Sequence, residues 1–253
     1  MSMTPYYDHA GITIYHGDCY AFLPQLTYDV IVTDPPYGLN YESGRENALS
    51  RIANDHDLKL RDWVLDTWKG PAIVFGSWKR AAPTGAHTCL VWDKGSGVGM
   101  GDLSVPWKPN WESIYILGRG FTGSRDSSVL TGHTMVSWNA GPASRCHPNE
   151  KPVSLLIALI SKCPSGVVVD PFCGSGSTLR AAKDLGRSAI GIEIEERYCE
   201  IAARRLDQEV LLFEREEATT VIVPIPAPLS EEETATYRRM VVSPWDDPWD
   251  ECQ

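Results

Sequence analysis

The sequence predicts an α/β domain with a mainly parallel sheet. Residues 29–33, Asp-Val-Ile-Val-Thr, form a nearly continuous apolar run, which is typical of a strand buried on both faces. After Pro152, short apolar runs alternate with longer helix-like segments, the pattern of β-α-β-α units. A Gly-rich turn at residues 170–178 joins one of these predicted strands to a helix. Together the three observations favour an open parallel sheet with helices packed on it.

The elements expected before residue 140 follow apolar patterning and turn residues. Asp18 stands at a natural N-cap position, so a helix is expected directly after it. The expected helices lie at residues 19–26 and 56–68. Strands are expected at residues 12–16, 29–33, 72–75, 88–92, 113–117 and 134–138.

The pattern is more regular after Pro152, which stands at the first turn of an apolar helix. Helices are expected at residues 153–163, 177–185 and 195–208. Strands are expected at residues 167–170 and 188–193.

Composition is that of a globular protein. The chain has 253 residues, 43% hydrophobic and 22% charged, enough for one large domain. No apolar run approaches the ~20 residues of a membrane span, and residues 1–20 do not resemble a secretory leader, so a cytoplasmic location is expected. The seven cysteines include no Cys-x-x-Cys pair, which argues against a disulfide framework and a structural zinc site. No metal is expected.

Charge is distributed unevenly along the chain. The net charge is −10, but residues 76–151 have eight basic and five acidic side chains. Residues 214–253 have three basic and ten acidic side chains and are rich in Pro and Glu. We therefore expect a folded domain at 1–213 and an acidic tail at 214–253. Because the charge is segregated, the net value does not exclude a nucleic-acid partner.

The Gly-rich turn predicts a nucleoside site. Gly174 and Gly176 would let the backbone approach a ligand closely at the start of a helix. A phosphate loop would need a lysine here, and a dinucleotide fingerprint would need a third glycine; both are missing. Glu193, at the end of the next strand, could accept both ribose hydroxyls. The alternative is a tight strand–helix turn without a ligand.

The tetrapeptide Asp34-Pro35-Pro36-Tyr37 ends the predicted buried strand, at the edge where open α/β sheets bind ligands. The prolines remove two N–H donors and leave carbonyls free to accept, Asp34 is a further acceptor, and Tyr37 offers a flat stacking face. These groups suit the exocyclic amino group of a base. Hydrogen bonds to both its protons would free the nitrogen lone pair for attack on an electrophilic methyl group. The alternative is a rigid structural turn.

These motifs resemble a known family. Asp34-Pro-Pro-Tyr37, then residues 147–152 (His-Pro-Asn-Glu-Lys-Pro), then residues 170–176 (Asp-Pro-Phe-Cys-Gly-Ser-Gly) are similar to the S-adenosylmethionine-dependent DNA amino-methyltransferases. The motif order resembles their circularly permuted β subgroup, and the resemblance covers about residues 11–210. It implies a Rossmann-like methyltransferase domain with a seven-stranded sheet, in which the strands before Asp18 and Asp34 lie beside those ending in Asp170 and Glu193.

The resemblance also implies roles for individual residues. Lys151-Pro152 matches the motif that closes the methionine end of the cofactor pocket, and Asp18 matches the acid that contacts the adenine of the cofactor. The implied catalytic residues are Asp34, Pro35, Pro36 and Tyr37. The implied S-adenosylmethionine-binding residues are Asp18, Cys19, Asp34, Lys151, Pro152, Asp170, Phe172, Cys173, Gly174, Ser175, Gly176, Ser177, Thr178 and Glu193.

The implied substrate is double-stranded DNA, with the target base flipped out of the stack. In this family Asp-Pro-Pro-Tyr is more typical of adenine-N6 methylation and Ser-Pro-Pro-Tyr of cytosine-N4 methylation, so adenine is expected and cytosine is the alternative. Methylation at cytosine carbon-5 would need a cysteine nucleophile, usually after a proline, and no Pro-Cys dipeptide occurs. A non-catalytic cofactor- or DNA-binding protein is the third possibility.

The mildly basic middle segment is the expected DNA-facing surface, with the loops at residues 39–55 and 94–130. The cations assigned to it are Lys79, Arg80, Lys94, Lys108, Arg119, Arg125 and Arg145. Trp63, Trp68 and Trp92 are expected in the core rather than on a base. The resemblance leaves open a cognate restriction enzyme and a homodimer.

Overall fold

The computed structural model describes residues 3–39, 55–95, 104–133 and 150–208. The strands of this part of the chain are β1 (Tyr7–His9), β2 (Ile12–His16), β3 (Val30–Thr33), β4 (Ala72–Gly76), β5 (Thr88–Asp93), β6 (Trp111–Leu117), β7 (Val129–Leu130), β8 (Val168–Asp170) and β9 (Ala189–Glu193). The helices are α1 (Cys19–Phe22), α2 (Lys59–Thr67), α3 (Val153–Ile160), α4 (Ser177–Asp184) and α5 (Glu196–Asp207).

The strands form one mixed sheet in the order β1-β2-β9-β8-β3-β4-β6-β5-β7. The five strands from β2 to β4 in this order run parallel. The predicted neighbours are confirmed, because β2 pairs with β9 and β3 pairs with β8. The α/β class is therefore as expected.

The sheet differs from the expected one in strand count and in direction. The described residues form nine strands rather than seven; the additional β1 and β7 have only three and two residues and lie at the two edges. Strand β6 runs antiparallel to both β4 and β5. The strand predicted at 134–138 lies outside the described residues.

Helices cover both faces of the sheet. Val30 and Val32 of β3 belong to a cluster that includes residues of α3, α4 and α5, whereas Ile31 between them belongs to a cluster with residues of α1 and α2. This alternation is what a strand buried on both faces produces, as the apolar run at residues 29–33 predicted.

The first helix is shorter than expected. After Phe22 the chain continues as a 3₁₀ turn, Leu23–Gln25, instead of an α-helix. Pro24 has no N–H to donate to the preceding turn, so α-helical hydrogen bonding ends there. Asp18 caps α1 as predicted, by accepting a hydrogen bond from the Tyr20 N–H.

The compact unit ends at Glu209. The tail expected at 214–253 lies outside the described residues and stays a prediction. No helix in the described part of the chain is long and apolar enough to cross a membrane.

Candidate active site

A cavity of about 480 Å³ opens at the carboxyl ends of the parallel strands. Its walls include the residues that end or follow four neighbouring strands: Asp18 after β2, Asp34 after β3, Asp170 at the end of β8 and Glu193 at the end of β9. Because adjacent parallel strands end at one edge, residues distant in sequence meet here. Most of the residues predicted to bind the cofactor or the base line this one cavity.

The Gly-rich turn has the backbone that its glycines allow. Gly174 and Gly176 have φ values of +48° and +80°. A Cβ on Gly174 would meet nothing within 4 Å, whereas a Cβ on Gly176 would lie 2.8 Å from the Cβ of Ala202. The turn therefore packs against α5 at Gly176 and leaves open space at Gly174, where it lines the cavity.

Asp170 joins the ends of two strands. Its Oδ1 accepts hydrogen bonds from the Thr33 hydroxyl at 2.6 Å and from the Phe172 N–H at 3.1 Å. Burial raises the pKa of Asp170 to about 6, although these donors and the Thr178 hydroxyl favour the charged form. The carboxyl thus fixes the cavity floor by linking β3 to the turn after β8.

Glu193 faces the cavity from the next strand. Its two oxygens accept from the N–H groups of Gly174 at 2.9 Å and Glu195 at 2.8 Å, and each oxygen retains a second lone pair. Burial raises the pKa of Glu193, and these two N–H groups oppose the rise. The Gly17 N–H donates to the Glu193 carbonyl at 2.8 Å, so Asp18 lies beside this end of the cavity. Asp18 and Glu193 are thus neighbours at one end of the cavity, and their expected contacts with a base and its ribose stay a prediction.

The Asp34 carboxylate is held from both sides. The Tyr37 hydroxyl donates to its Oδ1 at 2.6 Å, and the Lys151 ammonium donates to its Oδ2 at 2.6 Å. Behind this turn, the Gly38 N–H donates to the Asp55 Oδ1 at 2.7 Å and holds the start of the following loop. Pro35 and Pro36 also line the cavity.

Burial raises the pKa values of both Asp34 and Tyr37. It raises the pKa of Asp34, the nearby Glu112 charge adds to the rise, and Lys151 opposes it. Burial together with the Asp34 and Glu112 charges puts the pKa of Tyr37 well above its usual value. Tyr37 is therefore a neutral donor to Asp34 at physiological pH.

Lys151 lines the same cavity and lies beside Asp34. Its ammonium contacts Asp34, and it also lies 3.1 Å from the Glu112 Oε2 and 3.5 Å from the Tyr37 hydroxyl. The role at the methionine end of the cofactor that the resemblance implies for Lys151-Pro152 stays a prediction. Burial would lower the pKa of Lys151, but the two carboxylates raise it. Pro152, directly after it, is the N-cap residue of α3.

Sequence reasoning missed Glu112. It follows the first residue of β6, and its carboxylate contacts the ammonium groups of Lys94 and Lys151. Its pKa is lowered, because these two cations outweigh the effect of burial. The only sequence signal was one acidic residue in the otherwise apolar and hydroxylic run Trp-Glu-Ser-Ile-Tyr-Ile-Leu.

The predicted DNA-facing cations lie in different places. Lys79 and Lys94 line the cavity, but Lys94 is bonded to Glu112. Arg119 and Arg125 follow β6, whose last residue pairs with the first residue of β4. They therefore lie toward the amino ends of the parallel strands, opposite the cavity. The structure does not bring these two arginines to the site. Lys108 is exposed, the Arg80 guanidinium donates to the Gly38 carbonyl, and Arg145 lies outside the described residues.

Tryptophans occupy both the core and the cavity. Trp92 is fully buried, and Trp63 and Trp68 pack against the cluster around α2, as expected. Trp78 and Trp111, which sequence reasoning did not single out, line the cavity and are 59% and 38% exposed. An exposed ring at a cavity is a surface on which a base can stack.

Comparison with known proteins identifies the family. The DNA methylase family model for N6 and N4 enzymes matches residues 59–204. The chain is 30% identical to the putative methylase YubD of Escherichia coli, over 75% of this chain and 88% of that protein. It is 27% identical to the type II methyltransferase M.ScaI of Streptomyces caespitosus, over 81% of this chain and 84% of that protein.

Solved structures share the fold. The M1.HpyAVI–SAM complex superposes with a TM-score of 0.57 at 24% identity, covering 77% of this chain and 99% of that one. The cytosine-N4-specific PvuII DNA methyltransferase superposes with a TM-score of 0.59 at 18% identity, covering 83% and 91%. With the family model matching more than half of its residues, the chain belongs to the N6/N4 DNA methylase family.

Proposed function

We propose that this protein transfers a methyl group from S-adenosylmethionine to N6 of adenine in double-stranded DNA, with the target base flipped into the cavity. The observation that supports this most directly is the Asp34 carboxylate, which lies in the same cavity as the nucleoside-binding edge formed by Asp18 and Glu193. A methyl donor and a base could therefore meet there without a large movement of the chain.

The residues at the Gly-rich turn fit the cofactor. Gly174 has open space where a side chain would stand, and Glu193 has lone pairs left for ribose hydroxyls. Phe172, which lines the cavity beside the turn, offers a ring for the adenine. When bound, S-adenosylmethionine supplies an electrophilic methyl group on a positively charged sulfur.

The chain's own residues would act on the amino group of the base. Asp34 and the Pro35 carbonyl accept its two hydrogens, which draws the nitrogen toward sp³ geometry and exposes its lone pair. Tyr37 stacks on the base. Asp34 is then the carboxylate placed to accept the proton that the methylated nitrogen releases, and its raised pKa favours that transfer.

The same contacts would serve N4 of cytosine, so product analysis must distinguish the two. The experiment incubates the protein with methyl-labelled cofactor and duplex DNA, digests the DNA and identifies the labelled nucleoside. Labelled N6-methyl-2′-deoxyadenosine supports the proposal, and labelled N4-methyl-2′-deoxycytidine would show that cytosine, not adenine, is the target. If no nucleoside is labelled although the protein binds the cofactor, the protein is a non-catalytic binding protein.

Asp34→Asn provides the mechanistic control. The variant should lose methyl transfer by about two orders of magnitude or more while it still binds the cofactor. The matched variant Asp66→Asn changes an exposed carboxylate on α2 and should retain full activity. Near-full turnover by Asp34→Asn would refute the assigned role of this carboxylate.

A further inference from the structure

Four charged side chains of alternating sign connect three loops and β6 at the catalytic end of the cavity. The Lys94 ammonium contacts Glu112, Glu112 contacts Lys151, and Lys151 contacts Asp34. The four side chains are 16%, 16%, 7% and 29% exposed in that order. We call this set the charge chain. Its two cations balance its two anions, and only its last member belongs to the catalytic tetrapeptide.

Both oxygens of Asp34 already accept a hydrogen bond, so the amino group of a base would compete with the present donors. Oδ1 accepts from Tyr37 and Oδ2 accepts from Lys151, each at 2.6 Å. The amino group of a base would share one of these oxygens with its present donor, or would replace Lys151 on Oδ2. Ammonium–carboxylate bonds are among the stronger hydrogen bonds in proteins. An ammonium released into a buried site without another anion would be costly.

Glu112 offers Lys151 that other anion. Its Oε2 is 3.1 Å from the Lys151 ammonium, is buried, and has no hydrogen bond of good geometry among the described residues. An ammonium has three donors, so Lys151 can turn its hydrogen bonds from Asp34 to this oxygen. The Phe75 ring, 5.1 Å from the ammonium, provides a further contact for the cation.

Glu112 is also fixed in place. Its backbone pairs with Trp92 of β5, and Lys94 holds its other oxygen. Asp34, by contrast, lies on the loop after β3. A fixed carboxylate beside a loop carboxylate can retain the ammonium while the second carboxylate changes its partner.

We propose that Glu112 is a positioning residue for methyl transfer: it retains the Lys151 ammonium when the amino group of the target base takes the place of that ammonium on Asp34. The inference rests on the proposed function. It assigns no contact with the base or the cofactor to Glu112.

The test measures single-turnover methyl transfer to duplex DNA by Glu112→Gln. The neutral amide cannot retain the ammonium, so Lys151 stays on Asp34 and the rate should fall about tenfold, within the range for charged groups in direct contact. Cofactor affinity, measured by titration, should stay unchanged. Glu200→Gln, which breaks the exposed pair with Arg204 on α5, is the matched control and should keep the wild-type rate.

The acid limb of the rate–pH profile separates positioning from a structural role. Asp34 must be ionised to accept the amino hydrogens, so activity falls as pH falls through its pKa. Glu112 raises that pKa and Lys151 lowers it. Glu112→Gln should therefore move the acid limb to lower pH, and Lys151→Gln should move it to higher pH. Among the residues that the structure describes, the titratable and charged groups that face Asp34 or its partners are Tyr37, Asp55, Lys94, Glu112, Lys151 and Asp170.

A double-mutant cycle completes the test. In the Lys151→Gln background the ammonium is absent, so adding Glu112→Gln should change the rate by less than about twofold. An equal loss in both backgrounds, or an acid limb that does not move, would overturn the inference. If Glu112→Gln does not fold, Glu112→Asp keeps the charge but shortens the reach, and an unchanged rate in that variant overturns it instead. A wild-type protein that methylates no DNA would refute the proposed function itself, which is a different outcome.

Discussion

Replacing Gly176 with alanine should destabilise the protein more than the same change at Gly186. The two glycines stand at opposite ends of α4 and both have positive φ, +80° and +66°. Their surroundings differ, because a Cβ at 176 would lie 2.8 Å from the Cβ and 3.3 Å from the Cα of Ala202 on α5, whereas a Cβ at 186 would meet nothing within 4 Å. The pair therefore separates backbone strain from packing.

The magnitudes follow from these two contributions. A left-handed backbone conformation costs an alanine about 1–2 kcal/mol, and this cost applies at both positions. Forcing a methyl group into packed surroundings adds about 1–3 kcal/mol, and this applies only at Gly176. The expected losses in the free energy of unfolding are thus about 1–2 kcal/mol for Gly186→Ala and about 2–5 kcal/mol for Gly176→Ala.

Urea unfolding followed by far-ultraviolet circular dichroism measures both variants. Equal dependence of the unfolding free energy on urea in the two variants would show that the folded and unfolded states expose similar surfaces, so that the losses can be compared. If the two losses agree within error, α5 moves away from the turn without cost, and the close packing of α5 on the Gly-rich turn is refuted.

Four further outcomes are expected. The raised pKa of Asp170 favours its protonated form in the folded state, so the wild-type unfolding free energy should fall by at most about 3 kcal/mol as pH rises from about 4 to about 6. Asp170→Asn should remove this pH dependence, and urea unfolding across that pH range measures it. Thr33→Val removes the buried 2.6 Å hydrogen bond to Asp170 and should lower the unfolding free energy by about 1–3 kcal/mol in the same assay. Lys79→Ala should reduce the slope of log DNA affinity against log salt by about 0.9, whereas Arg125→Ala, at the opposite sheet edge, should leave it unchanged. Deleting residues 214–253 removes seven net negative charges and should strengthen DNA binding at low salt. Equal affinities with and without these residues would show that their charge does not affect DNA binding.

The strand ends that form the cavity could be predicted from the sequence. The strand before Asp34 is a nearly continuous apolar run, and the strands ending in Asp170 and Glu193 lie on either side of a helix with clear boundaries. Such local patterns determine where a strand ends, and parallel pairing then places the ends together. The motifs at residues 34–37 and 170–178 also indicate site residues without knowledge of how the strands pair.

The charge chain could not be predicted in this way. Glu112 meets Lys94 and Lys151 only because β6 runs antiparallel to β4 and β5, and the apolar pattern of a single strand does not specify the direction of its neighbours. The same reversal carries Arg119 and Arg125 to the far edge of the sheet. The edge strands β1 and β7 were missed because two or three residues contain no measurable period.

The electrostatics of the site bear on how, in the proposed reaction, an acidic protein accepts a base from a polyanion. Of the eight basic residues at 76–151, Lys94 and Lys151 are bonded to carboxylates inside the cavity rather than directed at phosphates. The charge chain therefore has no net charge, and Asp34 and Glu112 do not present an unbalanced negative field to incoming DNA. In the proposed reaction the group that enters is a neutral base, so its entry should depend on this local balance more than on the net charge of −10. Removing either anion would leave an excess cation beside the amino group, which is why the carboxylate of Glu112 matters although it is not assigned any contact with the base.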